Sequence, residues 1–168
     1  MSDGVSVRVS AWEAAAAVAD PELPMVTVAD LGILRSVEAD GCAVTVTVTP
    51  TYSGCPALSA ICHDLEAALH DAGYPDVRVA QNLDPPWTSD WITPAGRDKL
   101  AASGIAPPEP AVRHDGPIPL SLQGIRVSTC PHCGSSDTRE TARFSGTACK
   151  SLHRCAACGE PFESIKAI

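Results

Sequence analysis

Two Cys-x-x-Cys pairs, Cys130-Pro-His-Cys133 and Cys155-Ala-Ala-Cys158, each followed directly by a glycine, restrict the folding of this chain more than any other feature. A short knuckle of this kind turns two thiolates toward one metal ion, and two knuckles complete a tetrahedron of sulfur, the usual arrangement of a structural zinc site. Glycine after each pair relieves the crowded backbone. The 21 residues between the pairs leave room for a β-ribbon with arms at 138–144 and 150–154. The C-terminus therefore reads as a zinc ribbon held by Cys130, Cys133, Cys155 and Cys158. The tail holds few large apolar residues, so its folding is expected to need the metal. A sulfur tetrahedron also suits iron. With four thiolates supplied, no open catalytic position is indicated. His132 and His153 are read as exposed ribbon residues rather than ligands. Cys149 stays open between a core thiol and an extra thiol near the metal.

The chain has eight cysteines in 168 residues. No apolar run approaches a membrane span, and residues 1–10 lack the charged-then-apolar order of a secretory signal. The expected location is the cytoplasm, where thiols stay reduced and paired cysteines are more often ligands than disulfides. The net charge of −8 is unevenly placed. Residues 1–125 carry six Lys/Arg against sixteen Asp/Glu, whereas residues 126–168 carry six against four. Neither part is basic enough to favour a nucleic-acid backbone.

Composition divides the chain into a domain over 1–103, a proline-rich linker over 104–122 and the ribbon over 123–168. In the first part, Ser10 and Glu13 fit a capping box that starts a helix at Ala11, and Asp20-Pro21 is expected to end it. Strands are expected at 33–37 and 42–48 around an Asp40-Gly41 turn. In the second, Cys42, Val44, Val46 and Val48 share the apolar face. A helix follows over 56–72, with Pro56 at its first position, Gly73 as its stop, and Leu58, Ile61, Leu65 and Leu69 on its core face. A strand at 77–80 and a helix from Thr93-Pro94 to before Gly104 complete the order. This is an α/β (α+β) fold: a small mixed sheet with helices on one face, plus the ribbon module.

Cys55 precedes Pro56 at the mouth of the second helix. Backbone N–H groups and the helix dipole there favour an anion and so a reactive thiolate, although a small capping residue fits the same place. Cys62 and Cys42 are read as core thiols, and His63 and His70 as solvated. Asp20 and Glu22 could line the same edge as Cys55, or simply end a helix in a solvated loop. In Asp30-Leu-Gly32, Gly32 is expected to take a backbone conformation that other residues resist. Trp87 and Trp91 suit either partner anchoring or packing.

These residues carry a resemblance. Asp20-Pro-Glu-Leu-Pro24, Asp30-Leu-Gly-Ile-Leu34 and Thr49-Pro-Thr-Tyr-Ser-Gly-Cys-Pro56 resemble the domain shared by SufT-type iron–sulfur assembly factors. Together with Trp87-Thr-Ser-Asp-Trp-Ile-Thr-Pro-Ala-Gly96 and the ribbon, nearly the whole chain resembles the PaaD family of the phenylacetyl-CoA epoxidase system. The resemblance implies an accessory protein, not an enzyme, that helps iron or an iron–sulfur cluster reach a reductase or oxygenase component in phenylacetate catabolism. It places the functional cysteine of the assembly domain on Cys55 and the acidic motif on Asp20, Glu22 and Asp30. The implied cofactors are structural zinc and a transient cluster or iron. One thiol cannot hold a cluster alone, so any cluster would be shared with a client or bridged across a homodimer.

Three other readings compete. One is a structural or regulatory member of the oxygenase complex. A thiol enzyme built on Cys55 lacks a general base in reach, since His63 lies more than two helical turns away. A ribbon that binds nucleic acid is opposed by near-neutral charge and few aromatics.

Overall fold

The computed structural model describes residues 9–109 and 128–167, so most of the expected linker lies outside the described residues. The chain divides into two compact units, Met1–Pro86 and Trp87–Ile168.

The first unit opens with α1 (Ala11–Ala16). Ser10 caps it as expected: its Oγ accepts the Glu13 N–H at 3.2 Å, and the Glu13 carboxylate accepts the Ser10 N–H at 3.0 Å. α1 ends at Ala16, earlier than Asp20-Pro21. The following backbone is already committed elsewhere: Ala19 bridges Thr27, the Val18 carbonyl accepts the Val28 N–H at 2.9 Å, and the Asp20 N–H reaches the Val26 carbonyl at 3.0 Å.

β1 (Leu34–Asp40) and β2 (Ala43–Val48) then form an antiparallel pair. α2 (Leu58–Asp71) carries the chain over to β3 (Asp76–Gln81), which runs parallel to β2. The sheet order β1-β2-β3 gives the expected small mixed sheet, with α2 packed on β3 and α1, and α1 on β1. Val44, Val46 and Val48 point into the core, and Ile61, Leu65 and Leu69 of α2 are buried opposite them.

Three details differ from the sequence expectation. Cys42 is exposed, because the β1–β2 ladder closes at Asp40↔Ala43 and leaves Cys42 in the turn. Cys62 is half-buried, because Ile61, Leu65 and Leu69 at four-residue steps already fill the stripe that faces the sheet. α2 begins at Leu58 rather than Pro56, after a tight turn in which the Leu58 N–H bonds the Cys55 carbonyl at 3.2 Å.

The second unit starts with a buried Trp87 and a 3-10 turn at Ser89–Trp91. α3 (Pro94–Ala102) follows as expected, with Thr93 Oγ1 accepting the Gly96 N–H at 3.0 Å and Pro94 at the start. Next come β4 (Ile105–Ala106), β5 (Thr138–Ala142), β6 (Lys150–Cys155) and β7 (Pro161–Ile165), arranged as β4-β7-β6-β5. β5 and β6 are the two expected arms, the first ending at Ala142 rather than 144. β7 and β4 are additions. β7 opens with Pro161, which a first strand position tolerates, and its inward face mixes Phe162 with Ser164. β4 falls at the start of the expected linker, pairing parallel to β7. No helix among the described residues is long and apolar enough to cross a membrane.

Leu65 is fully buried at the centre of α2. Leu65→Ala is therefore expected to lower the unfolding free energy of the first unit by about 2–5 kcal/mol. Chemical denaturation followed by circular dichroism measures this, and a change below about 1 kcal/mol would show that α2 does not hold the core as described.

Candidate metal centre and the assembly-domain loops

The two knuckles are built alike. In the first, the Gly134 N–H bonds the Cys130 carbonyl at 2.9 Å and the Cys130 N–H bonds the Ser135 carbonyl at 2.9 Å. In the second, the Gly159 N–H bonds the Cys155 carbonyl at 3.0 Å and the Cys155 N–H bonds the Glu160 carbonyl at 3.0 Å. Both turns close through a left-handed glycine, Gly134 at φ 73° and Gly159 at φ 82°, which explains the glycine after each pair. The leading cysteines, Cys130 and Cys155, are buried at 1% exposure, whereas Cys133 and Cys158 face solvent.

All four sulfurs lie within 4.8 Å of one another. Cys133 and Cys155 are 3.6 Å apart, and Cys130 and Cys158 are 3.8 Å apart. Metal–sulfur bonds of about 2.3 Å in a tetrahedron require sulfur–sulfur edges of about 3.8 Å, whereas a disulfide needs about 2.05 Å. The arrangement thus fits a four-coordinate metal ion and does not fit disulfides. Among the described residues this is the one group of three or more His, Cys, Asp or Glu side chains placed to hold a metal.

Electrostatics agree with the geometry. The Cys158 N–H on Cys155 Sγ, helped by the neighbouring thiols and the Ala157 N–H, outweighs burial and brings the Cys155 thiol down to about 7. Cys133 accepts the Ser135 N–H, which lowers its pKa, but Cys155, burial, Cys158 and Cys130 together push it up to about 12. Cys158 is also raised: the Glu160 N–H and Cys133 lower it, but burial, Cys155 and Cys130 prevail. Four thiols this close cannot all ionise unless a cation compensates them.

Around the knuckles, Ala106, Cys130, Cys155 and Phe162 form one buried cluster, and Trp87, Ile92, Leu100, Ile105 and Ile165 are the other buried apolar side chains among the described residues of this unit. Much of the remaining interior is polar. His153 is buried, contrary to the sequence reading, because Ser151, His153 and Cys155 alternate inward along β6. Its ring stacks on Phe162 at 5.5 Å, and its Nε2 meets Ser151 Oγ at 2.9 Å. Burial lowers its pKa. Lys150, also buried, pairs with Glu163 across β6 and β7 at 2.8 Å, and Ser145 Oγ donates to the same carboxylate. Sequence reasoning missed this pair, whose partners are joined only by the unexpected β7. His132 is exposed, as expected. Cys149 is half-buried, with Thr147 Oγ1 at 3.1 Å, and is not one of the clustered four.

In the first unit, two of the acidic residues of interest are loop staples. Asp20 is buried, and its Oδ1 accepts the N–H groups of Glu22 and Leu23, both at 2.9 Å. Asp30 Oδ2 accepts the Thr27 N–H at 3.0 Å, while Thr27 Oγ1 accepts the Asp30 N–H at 3.1 Å. The Thr27-x-x-Asp30 spacing is a capping pattern that the sequence reading passed over. Glu22 is half-buried. Gly32 has φ 69°, the left-handed conformation expected of it, and lets the chain turn from Asp30 into β1.

The Ala19↔Thr27 bridge ties the Asp20 loop to the Asp30 turn. The Thr49 N–H bonds the Ile33 carbonyl at 2.8 Å, which sets the β2–α2 loop at the same end of the sheet. Asp20, Asp30 and Cys55 therefore belong to segments gathered at one end of the sheet. Cys55 lies in that loop, half-buried, with its N–H bonded to the Tyr52 carbonyl at 3.2 Å. His63 and His70 are exposed on α2, as expected.

Cys130→Ala removes one corner of the tetrahedron from the buried side. The expected result is metal content falling from one ion per chain to near zero, with loss of the β5–β7 sheet signal. Elemental analysis and NMR of the full chain measure both. Full metal retention in this variant would contradict the assignment.

Residues 116–166 match the PaaD zinc beta ribbon domain, and residues 10–80 match the iron–sulfur cluster assembly protein family. The chain is 39% identical over 94% of its length to the D subunit of the putative 1,2-phenylacetyl-CoA epoxidase of Escherichia coli, covering 91% of that protein. It is 38% identical over 45% of its length to an Fe-S protein maturation auxiliary factor of Porphyromonas gingivalis, covering 73% of that protein. Among solved structures, a domain of unknown function (DUF59) from Bacillus anthracis matches 54% of this chain and 87% of its own, at 28% identity and a TM-score of 0.50. The chain thus joins an iron–sulfur assembly match to a PaaD ribbon match and is similar to an epoxidase D subunit almost end to end: it belongs to the PaaD family.

Proposed function

We propose that the chain is an accessory maturation factor for a multicomponent phenylacetyl-CoA epoxidase, assisting delivery of iron or an iron–sulfur cluster to a client component, with zinc as the structural ion of its ribbon. The observation that carries this reading is Cys55. It is a half-buried thiol in the β2–α2 loop, at the end of the sheet where the Asp20 and Asp30 segments also gather, within the stretch that matches the iron–sulfur assembly family. A transfer thiol has to be reachable and held by only a few ligands, so that a cluster can pass on to a client. Asp20 and Asp30 support the thiol by fixing the loops around it. Glu22, half-buried beside Asp20, is the acidic side chain of the three best placed to meet a client.

The ribbon has a separate part in this reading. Four thiolates around zinc leave the ion coordinatively saturated, so it folds the module and does no chemistry on a substrate. The module then serves to recognise the client. The cluster or iron is cargo, and the clients are the reductase or oxygenase component. A cluster in transit is shared with the client or bridged between two copies of the chain. The Escherichia coli relative bears the name of an epoxidase component, which supports a second reading, a fixed structural or regulatory member of the oxygenase complex.

Cys55→Ala separates the two. The variant is expected to keep its zinc and its circular dichroism spectrum, while a reductase component produced beside it lacks its cluster. Iron and sulfide analysis and the visible spectrum of that component read the outcome. A fully loaded component in the variant background would overturn the role of Cys55, and stable co-purification with the oxygenase at fixed stoichiometry would favour the second reading.

A further inference from the structure

The segment between the two family matches, 81–115, is covered by neither. Of its described part, 81–109, residues 87–109 belong to the second unit and hold the 3-10 turn, α3 and β4. We infer that residues 87–109 form a strap whose folded state is held by the metal knuckles, so that metal occupancy of the four cysteines controls whether this segment is docked or released. The inference rests on the metal assignment above.

Three contacts tie the strap to the knuckles and to β7, the strand that follows the second of them. β4 is only two residues long and pairs parallel to β7, with Ile105 opposite Glu163 and Ala106 opposite Ser164. A strand this short has no stability of its own and persists only if its partner is fixed. Ala106 is fully buried in one cluster with Cys130, Cys155 and Phe162, so its apolar surroundings are built largely from metal-ligand cysteines. Gly104, at φ 79°, approaches His132 inside the first knuckle so closely that a Cβ there would sit 3.3 Å from His132 Cε1. The strap is also closed on itself. The Arg97 guanidinium donates to the Ser89 carbonyl at 2.8 Å and to the Pro108 carbonyl, pinning both ends of the segment to α3.

The direction of control follows. Where the ligands come together only in the folded state, metal-binding free energy is folding free energy. When the metal leaves, the knuckles open, and β4 loses both its hydrogen-bonding partner and its packing partner. By reciprocity, anything that pulls the strap off weakens metal retention by the same factor. The buried Ile105 and Ala106 would then be exposed only in the metal-free protein, which distinguishes loaded from unloaded chains for a client.

Hydrogen–deuterium exchange of the full chain, metal-loaded and after chelation under reducing conditions, tests this. Peptides over 94–106 are expected to exchange at least about tenfold faster without metal, together with those over 150–165, while peptides over 43–48 and 58–71 keep their protection. Unchanged protection over 94–106 while 150–165 loosens overturns the strap and leaves the metal site standing. A chain that holds no metal, or whose 150–165 peptides ignore chelation, overturns the metal assignment and the strap with it.

Ala106→Leu provides the reciprocal arm, because it overfills the cluster without touching a ligand residue's identity. It is expected to weaken metal retention against a competing chelator about tenfold, whereas Ala102→Leu, on the exposed side of α3, leaves retention unchanged. Equal retention in the wild type and Ala106→Leu, or equal weakening in both variants, overturns the coupling.

Discussion

Four sulfurs within 4.8 Å of one another make an arrangement that only a cation stabilises. As thiolates they repel, and the backbone N–H groups aimed at Cys155, Cys133 and Cys158 offset only part of that repulsion. A metal ion held by the four sulfurs would offset that repulsion. The rest of the second unit is arranged on this premise. The apolar cluster at the knuckles holds only Ala106 and Phe162 beside two of the cysteines, and the ribbon strands next to it carry His153, Ser151, Ser164 and the Lys150–Glu163 pair. Polar groups of this kind define a register without supplying much net stability, because each exchanges one set of hydrogen bonds for another. Glu163 shows the balance: burial raises its pKa, yet Lys150 and Ser145 bring the net shift below the ordinary carboxylate value.

The first unit is stabilised in the ordinary way, by aliphatic burial between a three-stranded sheet and its helices, and is free to specialise its loops. Asp20 and Asp30 use their carboxylates on backbone N–H groups of their own loops. An acidic motif within an assembly domain therefore has a structural task before any functional one. Fixing these loops fixes the end of the sheet at which the Cys55 loop also lies.

Local signals were legible in the sequence. The Ser10–Glu13 box, Thr93-Pro94, the strand face of Val44, Val46 and Val48, the left-handed Gly32 and the glycine of each knuckle depend on neighbours a few residues away, and the structure has them as read. What escaped was non-local. β4 pairs with β7 from more than fifty residues away, and two residues leave no periodic trace. β7 and His153 were missed because inward positions in this ribbon are polar as often as apolar, which defeats a search for apolar alternation. Cys42 was misassigned because alternation cannot say where a ladder stops. The four cysteines were readable from spacing alone, since the knuckle is a local device. Their separation into two buried and two exposed sulfurs was not, because it is set by Ala106 and Phe162 packing from distant strands.

One ion held by four sulfurs is what the second unit depends on. X-ray absorption of the full chain, purified without added metal under reducing conditions, addresses it directly. The expected result is a zinc edge and a single shell of four sulfurs at about 2.3 Å. A mixed sulfur–nitrogen shell, or a protein without metal whose cysteines are paired in disulfides, would contradict it.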